Sequence, residues 1–325
     1  MTREAAPALT ARLRTAVHPG AGPCACVCGP LADRPDATVV RHGTTVAKAH
    51  APGTDPRELT LRLTVAARLP GVLLSPLTPA PAHLDDRLVT HWPYGTPVDR
   101  DDPDAAPWEE TARLLARLHR TPPPEGLPPM RGPAKAAQAI SRLRRTLRDR
   151  TSTPAPTSTP APTSAEAAPV LAAWAALPPW ARAEASAPGT PALCHGDLHL
   201  GQLVRHPAPD GPWRLIDVDD LGVGTPAWDL ARPAAWYACG LLPPDEWLRF
   251  LTAYQAAGGP AVPEDGDPWP VLDVPARALT VQTAALALTK ALTAGRPLDE
   301  VERAVVDACA RMTGAPAQLD REFPE

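Results

Sequence analysis

Asparagine is absent from this 325-residue chain, and lysine is scarce: of the 32 basic residues, only Lys48, Lys135 and Lys290 are lysines. The absence of Asn excludes an Asn side chain from any metal site. Arg occupies all the remaining basic positions, and its planar guanidinium does not replace the compact ammonium of Lys. The three Lys positions are therefore candidates for places where a compact cation is needed.

A strong positive charge and long apolar runs are also missing. The net charge of −4 gives no general attraction to phosphate backbones or anionic membranes, so neither nucleic acid nor a membrane is an expected partner. No run approaches the ~20 apolar residues of a spanning helix. The charged amino terminus lacks the apolar core of a signal peptide. We expect a cytoplasmic protein that is a monomer or a weak homodimer.

The six cysteines do not match a known metal-site spacing. In a reducing compartment they are expected to be free thiols. Cys24, Cys26 and Cys28 could bind a soft metal, but alternate spacing without a second Cys or His pair is poor evidence for zinc. A structural or incidental role is the favoured interpretation.

Residues 1–92 are predicted to form a small lobe with an antiparallel sheet. A helix through Val17 and a loop rich in Gly, Pro and Cys come first. Residues 37–50 then contain two β-branched runs around His42-Gly43, which indicates a hairpin. Lys48 ends the second of these strands.

A helix is predicted after this hairpin, because residues 54–69 have apolar residues at helical spacing. Thr54 or Asp55 is its expected N-cap, followed by Pro at the first helical position. Glu58 lies in the first turn. The apolar runs at 72–77 and 87–92 are expected to complete the sheet.

Residues 93–325 are predicted to form a larger, mostly helical lobe. The tract 151–164 contains only Thr, Ser, Pro and Ala, so it cannot bury a core and is expected to be a disordered or extended insertion. Helices are expected near residues 107–119, 134–148, 167–187, 229–239, 245–257, 275–294 and 298–312.

Two acidic groups, each after a short apolar run, carry the chemistry. His195 and Asp197 form an H-x-D sequence, Gln202 follows five residues after the Asp, and Asp217 comes after the run WRLI. A kinase catalytic loop has H-x-D, a metal-binding amide five residues on, and a later Asp for Mg²⁺. The spacing fits this phosphoryl-transfer template.

The chain resembles the aminoglycoside phosphotransferase and choline-kinase-like family through HGDLHLGQ, LIDVDD and GVGTPAWDLA. The resemblance implies an α+β, protein-kinase-like fold with two lobes, ATP as phosphate donor and Mg²⁺ as cofactor. Two departures stand out. The family usually has Asn where this chain has Gln202, and the glycine-rich G-x-G-x-x-G loop over the phosphates is missing.

The resemblance implies a role for each acidic residue of the motif. Asp197 would orient the acceptor hydroxyl and take its proton. Gln202 and Asp217 would hold Mg²⁺ through hard oxygen ligands. Asp219 would add a metal or nearby contact, and Asp229 would brace the catalytic loop.

The same resemblance implies the nucleotide contacts in the amino-terminal lobe. Lys48 would contact the α- and β-phosphates and be held in place by Glu58. Backbone groups near Thr90 and His91 would meet adenine between the lobes.

The acceptor is expected to be a small hydroxylated molecule, either an aminoglycoside-like antibiotic or a sugar or amino sugar. Residues 264–267 supply carboxylates that could bind amines, although such a run is usually a solvated loop. Two other functions remain open. One is a kinase-like binding protein with little turnover, and the other is a metal hydrolase that uses His195, Asp197 and His199.

Overall fold

The computed structural model describes residues 5–17, 25–34, 36–152 and 162–314. Its contacts divide the chain into two compact units. The sheet unit comprises residues 1–114, 124–128 and 200–219, and the helical unit comprises residues 115–123, 129–199 and 220–325. The lobe boundary expected at residue 92 stays a prediction.

The described residues contain ten strands and nine α-helices. The strands are β1 Cys28–Arg34, β2 Ala37–His42, β3 Thr45–Ala49, β4 Ala82–Leu84, β5 Arg87–Pro93, β6 Thr96–Pro97, β7 Ala192–Cys194, β8 Leu203–Arg205, β9 Trp213–Leu215 and β10 Gly222–Gly224. The helices are α1 Ala5–Val17, α2 Pro56–Arg68, α3 Trp108–His119, α4 Gly132–Ser152, α5 Ser164–Ala176, α6 Ala227–Ala238, α7 Pro244–Ala256, α8 Trp269–Ala294 and α9 Glu300–Gly314.

A five-stranded antiparallel sheet in the order β1-β2-β3-β5-β4 dominates the sheet unit. The predicted hairpin is confirmed as β2 and β3, and Gly43 takes a positive φ of 57° in their turn. Leu13 and Val17 of α1 pack with Val40 and Val89 in one apolar cluster. Because β3 pairs with a strand on each side, its Lys48 has a fixed backbone position.

Two sequence interpretations of this unit were wrong. Part of the predicted loop before β2 is the edge strand β1, which carries a bulge between Pro30 and Ala32. Proline is tolerated there because an edge strand need not donate every N–H. Residues 72–77 form no strand of the sheet, since their backbone bonds separately to Leu215 and to the carbonyl of His91.

A further small sheet, in the order β6-β8-β9, completes the sheet unit and leads directly into the acidic loop. The N–H of Leu215, the last residue of β9, donates to the carbonyl of Val72 at 2.9 Å. The N–H of Ile216 donates to the carbonyl of Gln202 at 2.9 Å. These bonds fix the backbone on both sides of the turn that presents Asp217.

The helical unit is built around α8, which packs against α4, α5, α6 and α9. Of the helices that the structure describes, α8 alone is long and apolar enough to span a membrane, but 72% of that stretch is buried inside the protein. Such burial is typical of a core helix. The helix begins at Trp269, earlier than the predicted residue 275, and Pro275 lies within it.

The low-complexity tract falls largely outside the described residues, which omit 153–161. Near its end, Thr163 has an extended backbone and Ser164 begins α5. Thr163 caps α5: its Oγ accepts from the N–H of Glu166, whose carboxylate accepts from the N–H of Thr163. Through this capping box, the end of the tract caps and begins α5.

Candidate active site

Lys48 stands in the sheet unit between two carboxylates. Its Nζ lies 2.6 Å from Oδ1 of Asp217 and 2.9 Å from Oδ2 of Asp219, and the residue is 8% exposed. Burial alone would lower the pKa of Lys48, but the charges of Asp217 and Asp219 outweigh burial and raise it. Lys48 is therefore a fixed cation that holds two carboxylates together.

The turn after β9 presents both carboxylates to the same point. Asp217 has a φ of 65°, a left-handed conformation that is uncommon outside Gly and is tolerated best by Asp and Asn. Burial alone would raise the pKa of Asp219, but Lys48 and His50 keep it well below its usual range. Carboxylate oxygens of Asp217 and Asp219 thus converge on the ammonium of Lys48.

His50 is a neighbour of this cluster that sequence reasoning missed. It is 1% exposed, with Nδ1 3.1 Å from Oδ1 of Asp219 and Nε2 2.8 Å from Oγ of Thr90. His50 follows Lys48 by two residues, and side chains two apart on a strand share one face. That periodicity was the available signal, and it links Thr90 to the acidic turn through a buried ring.

The structure leaves the adenine contacts of Thr90 and His91 as predictions. Thr90 is 1% exposed, and its hydroxyl also accepts from Nε1 of Trp92 at 2.9 Å. The carbonyl of His91 accepts from the N–H of Leu77 at 2.8 Å, and partial burial lowers the pKa of the His91 ring. Thr90 therefore has a packing role in the sheet unit.

Glu58 forms no described ion pair with Lys48, so the predicted pairing was wrong. The described ion partners of Lys48 are Asp217 and Asp219, whereas Glu58 lies 3.3 Å from Arg62 one helical turn away. Glu58 stands 47% exposed in the first turn of α2, which Asp55 caps as expected. Asp217 and Asp219 already compensate the charge of the Lys48 ammonium, so a third acidic partner is not required.

Gln202 lies in the same unit as Asp217, at the end of a 3₁₀ turn before β8. Its backbone carbonyl receives the N–H of Ile216, the residue before Asp217. The residue is 7% exposed. The predicted role of Gln202 as a metal ligand stays a prediction.

The H-x-D loop of the helical unit is braced from beneath by Asp229. Its carboxylate accepts from the N–H of His195 at 2.6 Å and from the N–H of Gly196 at 2.7 Å. Gly196 is required here, because its φ is 85° and an added Cβ would lie 2.4 Å from the carbonyl oxygen of Asp220. The bracing expected of Asp229 is therefore present in the structure.

Asp229 is itself held by a buried chain of polar side chains. Nε2 of His119 lies 3.0 Å from Asp229, and Nδ1 lies 2.8 Å from the hydroxyl of Tyr254. Burial alone would raise the pKa of Asp229, but the His119 hydrogen bond and nearby donors lower it overall. Asp229 therefore stays ionised in the protein interior.

Asp197 is clamped between two cations of the helical unit. Nζ of Lys135 lies 2.7 Å from its Oδ2, and a terminal nitrogen of Arg232 lies 2.8 Å from its Oδ1. Burial alone would raise the pKa of Asp197, but Lys135 and Arg232 hold it well below its usual range. The predicted base is thus an anion with both oxygens engaged.

Lys135 was overlooked as a site residue, although the scarcity of lysine had marked it. Its Nζ also lies 2.6 Å from Oδ2 of Asp220. Burial alone would lower the pKa of Lys135, but Asp220 and Asp197 raise it. No spacing rule joins a residue on α4 to a loop 62 positions later, so sequence alone could not find this contact.

The family follows from comparison with known proteins. The model of the phosphotransferase enzyme family (APH) matches residues 37–269, which is more than half of the chain and includes both acidic loops. The chain belongs to this family. A search of the curated proteins found no match.

Solved structures show the fold of this phosphotransferase-family chain. A choline/ethanolamine kinase family protein from Mesorhizobium loti is 17% identical with a TM-score of 0.53, covering 95% of this chain and 93% of that one. A spectinomycin phosphotransferase in complex with ADP and spectinomycin is 13% identical with a TM-score of 0.56, covering 89% and 91%. The predicted α+β, protein-kinase-like fold is confirmed.

A third solved structure is a thermostable aminoglycoside phosphotransferase mutant in a ternary complex with AMP-PNP and hygromycin B. It is 12% identical with a TM-score of 0.56, covering 89% of this chain and 94% of that one. These low identities show the fold alone.

The residues predicted for the alternative metal hydrolase do not form a cluster of ligand atoms among the described residues. Within the described residues, the His, Cys, Asp and Glu side chains whose ligand atoms cluster are His119, Cys194 and Asp229, all buried. His195, Asp197 and His199, on which the hydrolase alternative rests, are not part of this group.

The cysteine run and the acidic run have local contacts of their own. Sγ of Cys28 lies 2.8 Å from Nδ1 of His42 across β1 and β2, while Cys24 lies outside the described residues. In the acidic run, Asp267 accepts from the N–H of Trp269 at 3.0 Å at the start of α8. Asp267 therefore has a structural role at a helix end.

Proposed function

We propose that this phosphotransferase moves the γ-phosphoryl group of ATP to a hydroxyl of a small molecule, an aminoglycoside-like antibiotic or a sugar or amino sugar. The observation that carries the proposal is the buried Lys48 between Asp217 and Asp219. The ADP and AMP-PNP complexes of proteins with this fold support ATP as the donor. A cytoplasmic location and a monomeric or weakly dimeric state complete the proposal.

The residues of the sheet unit fit a divalent cation. Asp217 and Asp219 already direct ionised oxygens at one cation, Lys48, and Gln202 adds an amide oxygen from the same unit. Hard oxygen donors of this kind are what Mg²⁺ prefers. When bound, Mg²⁺ would neutralise charge that develops on the transferred phosphoryl group.

The protein groups have separate tasks in this reaction. Lys48 binds phosphate oxygens of the nucleotide and, through its ion pairs, positions Asp217 and Asp219. Asp197 orients the acceptor hydroxyl and accepts its proton as the oxygen bonds to the γ-phosphorus and the bond from that phosphorus to the β–γ bridging oxygen breaks, which releases ADP. Asp229 holds the backbone of the loop that carries Asp197, so that positioning costs little reorganisation during transfer.

A kinase-like binding protein with little turnover is the second candidate. One observation favours it: Lys135 and Arg232 engage both oxygens of Asp197 and hold its pKa well below its usual range, which makes Asp197 a weak proton acceptor in this arrangement. This candidate predicts nucleotide binding without sustained consumption.

ADP formation separates the two candidates. Purified full-length protein is incubated with ATP and Mg²⁺ and with each of a panel of sugars, amino sugars and aminoglycosides, and ADP is measured. The proposal predicts acceptor-dependent ADP formation that requires Mg²⁺. ATP binding with no acceptor-dependent ADP across the panel would favour the binding protein.

A further inference from the structure

We propose that Lys135 selects the acceptor: the hydroxyl that receives phosphate stands beside a neutral or anionic group of the acceptor, and not beside an ammonium group. This inference rests on the proposed function and narrows its acceptor class toward sugars and away from polycationic antibiotics.

The charges around Asp197 disfavour an ammonium group on the acceptor. Lys135 and Arg232 contact Asp197, Lys135 also contacts Asp220, and Arg131 lies 3.9 Å from Asp220. Three cations thus surround two carboxylates, and the cluster has a net positive charge. An ammonium brought beside Lys135 would be repelled, and the partial burial of the cluster limits solvent screening.

Lys135 and Arg232 differ in how easily each can make room for the acceptor at Asp197. A hydroxyl that donates to Asp197 must share one of its oxygens with Lys135 or Arg232, or replace one of these partners. Arg232 is also tied by Nε to the carbonyl of Leu198 at 2.9 Å, and its side chain is 17% exposed. Lys135 is 30% exposed and keeps a second carboxylate, Asp220, when it leaves Asp197.

Lys135 therefore remains next to the bound hydroxyl. An ammonium has three N–H donors and no acceptor, so it can bind a hydroxyl or carboxylate oxygen of the substrate but not a second ammonium. The ammonium of Lys135 therefore contacts the group beside the reacting hydroxyl and discriminates between the groups that can stand there.

The backbone beneath Lys135 is fixed, so the side chain cannot retreat with its helix. The N–H of Arg131 donates to the carbonyl of Asp220 at 3.1 Å, and the N–H of Met130 donates to the carbonyl of Val223 at 3.0 Å. At Gly132 an added Cβ would lie 2.1 Å from Nε1 of Trp228. The start of α4 is thereby held against the segment that carries Asp220.

The experiment compares acceptor pairs that differ at one carbon: glucose with glucosamine, and galactose with galactosamine, with kanamycin as a polycation. Phosphoryl transfer from γ-³²P-ATP and acceptor binding in the presence of AMP-PNP and Mg²⁺ are both measured. The variants are Lys135→Met and Lys135→Arg, with Lys290→Met as the matched control on the exposed end of α8.

The wild-type protein and Lys290→Met are expected to favour the hydroxyl member of each pair by about tenfold in kcat/KM and in affinity. Lys135→Met is expected to lose most of this preference, while Lys135→Arg, which keeps the charge, retains it. The change appears in the acceptor KM, and the KM for ATP stays constant.

The same preference in Lys135→Met as in the wild type overturns the inference. So does tighter binding of kanamycin or of the amine member, or no binding of any acceptor. Binding in the expected order without phosphoryl transfer refutes the proposed function alone. Transfer with a preference for amines refutes the inference alone.

Discussion

Lys48 places an ammonium between two carboxylates that would otherwise repel each other. Asp217 and Asp219 each lie within 3 Å of its Nζ. Removing one member of a buried ion cluster leaves uncompensated charge, which is more damaging than the net value of the intact cluster indicates. The same ammonium is the proposed phosphate contact, so stability and nucleotide binding depend on one side chain.

Lys48→Met is predicted to weaken AMP-PNP binding by at least about tenfold and to lower the free energy of unfolding by about 3 kcal/mol. The weaker binding follows from the lost phosphate contact, and the lower stability follows from two carboxylates left facing each other. Calorimetry and urea unfolding give the two values, with Lys290→Met as the control. Unchanged nucleotide affinity in folded Lys48→Met would contradict the assigned role.

Gln202 tests the departure from the usual Asn. Gln202→Ala is predicted to raise the Mg²⁺ concentration needed for half-maximal activity several-fold, because one hard ligand is lost. Gln202→Glu is predicted to lower it, since a carboxylate replaces a neutral oxygen. Equal Mg²⁺ dependence in all three proteins would mean that Gln202 is not a ligand.

Elements, rather than single residues, explain why the loop of Asp197 is rigid. Residue Asp229 stands in the first turn of α6, and it accepts from two consecutive N–H groups that precede Asp197. The helix thus fixes the loop through one carboxylate whose pKa is lowered, and that carboxylate is further tied to α3 and α7 through His119 and Tyr254.

Asp229→Asn is predicted to destabilise the protein by about 2 kcal/mol at pH 7, because the buried N–H donors and His119 lose an ionised partner. A lowered pKa adds stability above the ordinary carboxyl pKa of about 4, and that stability is lost as pH falls. Urea unfolding between pH 7 and 3 should show the difference between the two proteins shrinking below about pH 4. A constant difference would contradict the ionised state.

Sequence patterns predicted the elements that have a strong period or a clear cap. The hairpin at Lys48, the capped helix after Asp55 and most of the later helices appeared near their expected positions, but the helix expected at 167–187 ends at Ala176. The failures were local. Edge strand β1 was hidden by Pro and Cys, and the run at 72–77 is apolar without pairing as a strand.

Contacts between distant residues mark the limit of sequence reasoning. The motif spacing pointed to Asp197, Asp217 and Lys48, and the structure brings Lys48 and Asp217 together. It could not find Lys135 beside Asp197 or His50 beside Asp219, because only the folded chain brings these pairs into contact. Glu58 shows the converse: a plausible spacing produced no contact.

On the scale of the whole molecule, each unit supplies charged groups suited to one part of the proposed reaction. The sheet unit has the cation and oxygen ligands for a nucleotide and its metal. The helical unit has an ionised Asp197 that contacts the cations Lys135 and Arg232. The account therefore requires that the whole chain transfers phosphate and that Asp197 is needed for the transfer after ATP has bound.

The most direct test is the transfer of ³²P from γ-³²P-ATP to an isolated acceptor by the wild-type protein and by Asp197→Asn, both saturated with ATP and Mg²⁺. The account predicts radiolabelled acceptor from the wild type, and at least a hundredfold slower labelling by a folded Asp197→Asn that binds ATP normally. Full labelling by Asp197→Asn would contradict it, as would the absence of labelled acceptor from the wild type across the whole panel.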